Sequence, residues 1–178
     1  VMQYKDSKDS TMVKVIDDPR LGNRNQIKLA QAALRAELKK SGDQLIEIMD
    51  MMSKAEDESK KVDTYISGMK GKEIDSLKNM SKTLNEEIKK LREFINGTPQ
   101  TKQGYGQVPQ VTVMNQYQQA NMGISSKAIE PGAQEKALVD RAATMVADAV
   151  KKANIIKDGI WKNYMEMVKA TKLDPFGK

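Results

Sequence analysis

The acidic triplet Glu56-Asp57-Glu58 is the densest group of side chains able to ligate a cation or share acid/base work. Lys54, Lys60 and Lys61 flank it and neutralise it, and no second arm of ligands lies nearby in the chain, so the triplet reads as a solvated helix face. Gly104-Tyr105-Gly106 is too short for a phosphate cradle and sits between Pro-containing loop segments rather than between a strand and a helix. Met49, Met51 and Met52 could form a deformable binding surface; their helical spacing favours core filling, with Met51 turned outward. Asn79-Met80-Ser81 and Asn96-Gly97-Thr98 fit the N-glycosylation pattern, which has meaning only in a eukaryotic secretory route. The sequence contains no Cys and no His. Zinc sites, disulfides and nucleophiles driven by Cys or His are therefore excluded. No catalytic residue, cofactor site or metal site is assigned, and the chain is expected not to be an enzyme.

Composition points the same way. Of the 178 residues 39% are hydrophobic, 4% aromatic and 30% charged, a balance that suits elongated helices with narrow apolar seams. The net charge of +6 would permit a nucleic-acid partner. Basic and acidic residues alternate at helical spacing, however, as in the run at 54–61, and no run of Lys/Arg exceeds two. Nucleic acid is not expected as a partner. The most apolar stretch, 142–150, is short and carries Asp148, so no membrane insertion is expected. Val1 in place of an initiating Met leads us to expect that the chain continues a longer product.

The clearest local signal lies at 71–96. Ile74, Leu77, Ser81, Leu84, Ile88, Leu91 and Ile95 alternate spacings of three and four, the seam of a heptad helix. Glu86 with Lys90, and Lys89 with Glu93, are opposite charges at i,i+4 on its outer faces. Asn96-Gly97 and Pro99 stop it. Upstream, a long helix is predicted from a cap at Asn23 or Asn25 to about Ser67, with Ile27, Leu34, Leu38, Leu45, Ile48, Met52, Ala55, Val62 and Ile66 inward and Gly42 as its weak interior point. Gly68 to Gly71 turn the chain back, so these two helices must be antiparallel.

The segment 97–110 is a Gly/Pro loop. A shorter helix follows at about 111–126, with Val111, Met114, Tyr117, Asn121 and Ile124 on one side. A fourth helix starts near Pro131 and runs to about Lys172, turning Leu138, Met145, Ala149, Ile156, Ile160, Tyr164 and Met167 inward. Trp161 is expected to pin it across the seam or against the strand remnant. Residues 1–4 and 11–16 read as two strands around a polar turn, the last strands of an upstream β-domain. The expected architecture is all-α: an elongated up-down antiparallel bundle of four helices, two long and two shorter, at 21–178, preceded at 1–20 by a β-hairpin remnant of an upstream β-sandwich.

Three segments carry a resemblance: the strand exit Val13 to Leu21 with its Asp18-Pro19-Arg20, the helix end Ile88 to Glu93, and Ala147 to Asn154 followed by Trp161-Lys162-Asn163-Tyr164. Together they resemble the C-terminal helical region of exported Bacteroidetes-type proteins that carry a sortilin-like β-propeller. The resemblance implies a non-catalytic structural or interaction module at the cell envelope, periplasmic, surface-associated or secreted, whose partner is another protein or the propeller of the same parent. It also implies O-glycosylation at Ser10 and Ser76, in Asp9-Ser10-Thr11 and Asp75-Ser76-Leu77. Two alternatives stand beside it: an accessory domain of a hydrolytic propeller, and a coiled-coil adaptor that self-associates through Ile74, Leu77, Leu84, Ile88, Leu91 and Ile95. A monomeric bundle is the expectation, because the long helices can satisfy one another.

Overall fold

The computed structural model describes residues 2–4, 7–14, 24–99, 110–126, 129–171 and 173. Two three-residue strands, β1 (Met2–Tyr4) and β2 (Ser7–Asp9), pair antiparallel with Met2 opposite Asp9. The second strand thus falls where the sequence reading placed the turn. Residues 11–14 form no strand, and 15–16 lie outside the described residues. No third strand joins the pair among the described residues, so nothing here supports a β-sandwich remnant.

The other elements are helices: α1 (Asn25–Tyr65), α2 (Lys72–Asn96), α3 (Val113–Ser125), and α4 (Ala133–Ile155), which passes without a break through a π-helical segment (Ile156–Trp161) into α5 (Lys162–Ala170). Counting that last run as one, the described residues form four helices. At 1.5 Å per residue, α1 is roughly 60 Å long and spans the assembly.

α2 lies antiparallel to the C-terminal half of α1, where Ser59 meets Ser81 and Glu56 meets Arg92. α3 lies antiparallel to the N-terminal half, with Tyr117 beside Gly42 and Arg35 reaching Ser125. α4 and α5 run parallel to α1: Leu38 shares a cluster with Val139, and Trp161 reaches Glu58. The order is therefore up, down, down, up, and a cross-section meets three helices rather than four. The reason is the connection between α2 and α3, which preserves the direction of travel instead of reversing it. Gly97 leaves α2 at φ 87, a left-handed conformation that suits glycine. Thr98 N–H then donates to Gln110 Oε1 at 2.8 Å while Gln110 Nε2 donates to Thr98 Oγ1 at 2.7 Å, tying the two ends of the intervening segment together.

Several boundaries shift by a residue or two. Arg24, not an Asn, occupies the cap position of α1 and makes no side-chain cap. α3 starts after Thr112, whose Oγ1 accepts from Asn115 N–H at 3.1 Å. Val111 therefore lies outside the helix and is 74% exposed, and the buried face is Val113, Gln116, Ala120 and Ile124. Before α4 it is Gly132 that caps, its N–H donating to Glu135 Oε2 at 2.8 Å, so Pro131 precedes the helix instead of opening it.

The core is one long aliphatic cluster between α1, α2 and the α4–α5 run, plus a smaller one around Leu38, Ala120, Ile124, Val139 and Ala142. From α1, Leu38, Leu45, Ile48, Met52, Ala55, Val62 and Ile66 are buried. Ile27 and Leu34 are only half-buried. On α4 the buried row is Val139, Ala142, Val146, Ala149, Ala153 and Ile156, so Leu138 and Met145 flank the seam rather than form it.

Candidate functional site

The seam residues Ile74, Leu77, Leu84, Ile88, Leu91 and Ile95 are all buried, none more than 8% exposed, and all join the large core cluster. Ser81 occupies the same row at 2% exposure. Among aliphatic neighbours a serine there needs a partner. It has one on each side.

Ser81 Oγ donates to Asp63 Oδ2 at 2.6 Å, and Asn85 Nδ2 donates to Ser59 Oγ at 3.0 Å. The Ser59 and Ser81 hydroxyls lie 2.8 Å apart. Because the Ser81 proton is committed to the carboxylate, Ser59 must be the donor between the two. The result is a directed chain from Asn85 through Ser59 and Ser81 to Asp63, each bond polarising the next toward the negative end. Tyr164 of α5 closes the layer from the third side. Its ring is fully buried, and its hydroxyl lies against both serines without making a hydrogen bond of good geometry. Burial, with the Asp63 charge adding to it, pushes its pKa up to about 12. Every column of the bundle contributes to this layer.

A hydroxyl held on a carboxylate is half of a nucleophile-activating arrangement. Here it serves packing: Ser59 and Ser81 are sealed between the helices, so no substrate can reach the oxygen. Asp63 and Asn85 do reach the surface, where with Glu56, Lys60 and Thr64 they line an open groove of about 540 Å³.

The acidic triplet is not a simple solvated face. Glu56 Oε2 accepts from Arg92 of α2 at 2.7 Å, and Glu58 Oε2 accepts from the Trp161 indole at 3.0 Å. Asp57 alone points outward, exposed. Two of the three acids thus tie α1 to its neighbours, a role the Lys-rich flanks concealed. Among the described residues no group of three or more His, Cys, Asp or Glu could hold a metal ion. Trp161 packs across the columns through that indole bond. On α2 the ion pairs include Lys82 with Glu86 at 4.0 Å, Lys89 with Glu93 at 3.9 Å and Lys90 with Glu87 at 2.6 Å, so Lys90 takes the i−3 carboxylate and not Glu86. Glu87 raises the Lys90 pKa.

Met52 is fully buried, while Met49 and Met51 are half-buried against the core. Met49 also lines an apolar groove of about 360 Å³ between α1 and α3, with Leu45, Ile46, Met114 and Tyr117. Ser10 and Ser76 are both exposed, and Ser76 Oγ donates to the Lys72 carbonyl at 2.9 Å. Gly104-Tyr105-Gly106 lies outside the described residues.

No helix among the described residues is long and apolar enough to cross a membrane. No protein-family model matches the chain, and no curated protein or solved structure matches it.

Proposed function

We propose that this chain is a non-catalytic spacer and docking module at the C-terminus of a larger exported bacterial protein, of the kind that carries a sortilin-like β-propeller. The observation that carries the reading is the complete burial of the α2 seam against α1 and the α4–α5 run. A chain that spends its stripes internally and stretches along a helix of roughly 60 Å acts as a rod holding its two ends apart. Its mixed-charge flanks then meet other envelope components. The short sequence motifs around Asp18-Pro19-Arg20, 88–93 and 147–164 support the parentage. On this reading Ser10 and Ser76 carry O-glycans, and both sit at exposed positions where a glycan would not disturb the core.

Cells producing the full parent are compared with cells producing a parent that lacks residues 24–171, by envelope fractionation, surface proteolysis and cross-linking. Loss of the parent from the envelope, or loss of a cross-linked neighbour, supports the reading. Unchanged location with an unchanged set of neighbours overturns it. Mass spectrometry of the native chain decides the two glycans separately.

A further inference from the structure

The α4 row changes its period at the π segment. Val146, Ala149, Ala153 and Ile156 keep spacings of three, four and three, and then the inward residues are Ile160, Tyr164 and Val168, at four, four and four. Three turns of about 4 residues exceed the 3.6 of an α-helix by roughly one residue in all. One supernumerary residue is what a π turn absorbs, and it lies at Ile156–Trp161. Lys157 and Asp158 are exposed there and a side chain at Gly159 would meet nothing within 4 Å, so only Ile156, Ile160 and Trp161 of the segment engage the rest of the bundle, and of these only the Trp161 indole bond to Glu58 is tied to the π register.

The sequence carries a second seam in the same stretch. Ile156, Ile160, Asn163 and Met167 continue the three-four alternation of α4 without any extra residue. In that register Asn163, exposed here, would replace Tyr164 at the Ser59–Ser81 layer, and Met167, half-buried here, would replace Val168. The two seams have opposite merits. The π register buries the tyrosine ring and leaves its hydroxyl against both serines without a hydrogen bond of good geometry. The α register gives up the ring but presents an amide that can donate to the free lone pairs of both serines.

We propose that α5 is a two-register element: the extra residue migrates from the π segment toward the end of α5, turning the helix by about 100° and exchanging Tyr164 for Asn163 at the polar layer. Trp161 leaves Glu58 in the second register.

The test is ¹⁵N relaxation dispersion on the full chain. Microsecond-to-millisecond exchange is expected at amides 156–171 and at the Trp161 indole, and not at 133–150. Deleting Lys157 removes the supernumerary residue while keeping Ile160, Tyr164 and Val168 inward on an ordinary α-helix, and the exchange should vanish. Tyr164→Phe abolishes the unpartnered hydroxyl, favours the π register and should reduce the exchange amplitude at least twofold. Absence of exchange in the native chain, or exchange that survives the deletion, overturns the proposal. If the deletion variant does not fold, Tyr164→Phe decides, and an unchanged amplitude overturns it.

Discussion

Ser59 of α1 and Ser81 of α2 meet hydroxyl to hydroxyl at 2.8 Å, at a level of the bundle flanked by the aliphatic side chains of Ala55, Val62, Leu77 and Leu84. A polar pair inside an apolar seam contributes little net stability but discriminates strongly between registers. Sliding α2 along α1 by one turn would set each serine against an aliphatic side chain and strand Asp63. The layer therefore fixes which turn of α2 faces which turn of α1, a choice that Leu and Ile leave nearly degenerate.

Ser81→Ala removes the middle of the hydrogen-bond chain and leaves Asp63 without its buried donor and Ser59 without its acceptor. We expect a loss of about 1–3 kcal/mol. Adding Ser59→Ala to it should cost less than the two single losses summed, by about 0.5–3 kcal/mol, because the second change removes a group already unpaired. Urea unfolding midpoints at constant slope measure all three variants. Strict additivity would show that the hydroxyls do not act as one chain.

The Tyr164 hydroxyl gives a pH dependence of definite sign. Its folded pKa, pushed up to about 12, lies above the ordinary phenol value of 10.0. The native state holds the proton more tightly than the unfolded chain, so the contribution is complete below pH 10 and is lost as pH rises from there through 12. Urea midpoints at pH 8 and pH 11 should therefore fall further for the native sequence than for Tyr164→Phe, which has no phenol to ionise. An equal fall in both would mean that the hydroxyl is not held in a dry site.

The sequence makes some of this legible and hides the rest for identifiable reasons. The α2 row reads correctly from Ile74 to Ile95 because its spacing repeats without interruption and each apolar residue is large. Ser81 is visible in that row as an anomaly, yet its partners lie 18 and 22 residues away on another helix, beyond the reach of any local pattern. The α4 row is harder: Ala142, Ala149 and Ala153 bury little surface each, and Leu138 and Met145 beside them carry more hydrophobicity while lying off the seam. Tyr164 falls on the expected face, but Met167 is displaced by Val168 because the π turn adds a residue. In α3 the Thr112 cap sets the phase, so of the face expected from Val111 onward Ile124 is buried and Met114 and Tyr117 are half-buried, while Val111 and Asn121 are exposed. The reversal expected after α2 fails because the contacts that set the direction of α3, Tyr117 beside Gly42 and Arg35 on Ser125, join it to residues of α1 more than seventy positions earlier, beyond the reach of a local pattern.

Truncation of the seam should be severe and local truncations outside it mild. Leu84→Ala opens a cavity at a fully buried position and should cost about 2–5 kcal/mol. Ile46→Ala, at 61% exposure, should stay within about 0.5 kcal/mol. Since the seam is satisfied within one chain, thermal midpoints of the native protein should not move over a hundredfold range of protein concentration, and sedimentation should return a monomer. A midpoint that climbs with concentration would mean that a second copy binds the native state, as in a self-associating adaptor.

Gly42 supplies the last test, because two effects of opposite sign compete there. In the middle of α1, replacing glycine by alanine should gain about 1 kcal/mol from helix propensity. The new Cβ would, however, stand 2.6 Å from the Tyr117 hydroxyl and 3.2 Å from the ring carbon bearing it. A tyrosine ring packed between helices cannot retreat as a flexible chain end can, and overpacking of this kind costs about 1–3 kcal/mol. Gly42→Ala should therefore be destabilising overall, by up to about 2 kcal/mol after the propensity gain is subtracted. Removing only the offending oxygen reverses the balance: with Tyr117→Phe in the background, Gly42→Ala should become neutral or stabilising. Denaturant midpoints of the four combinations measure this coupling directly. Should Gly42→Ala stabilise the protein with Tyr117 intact, the close approach of α3 to α1 at this level would be refuted.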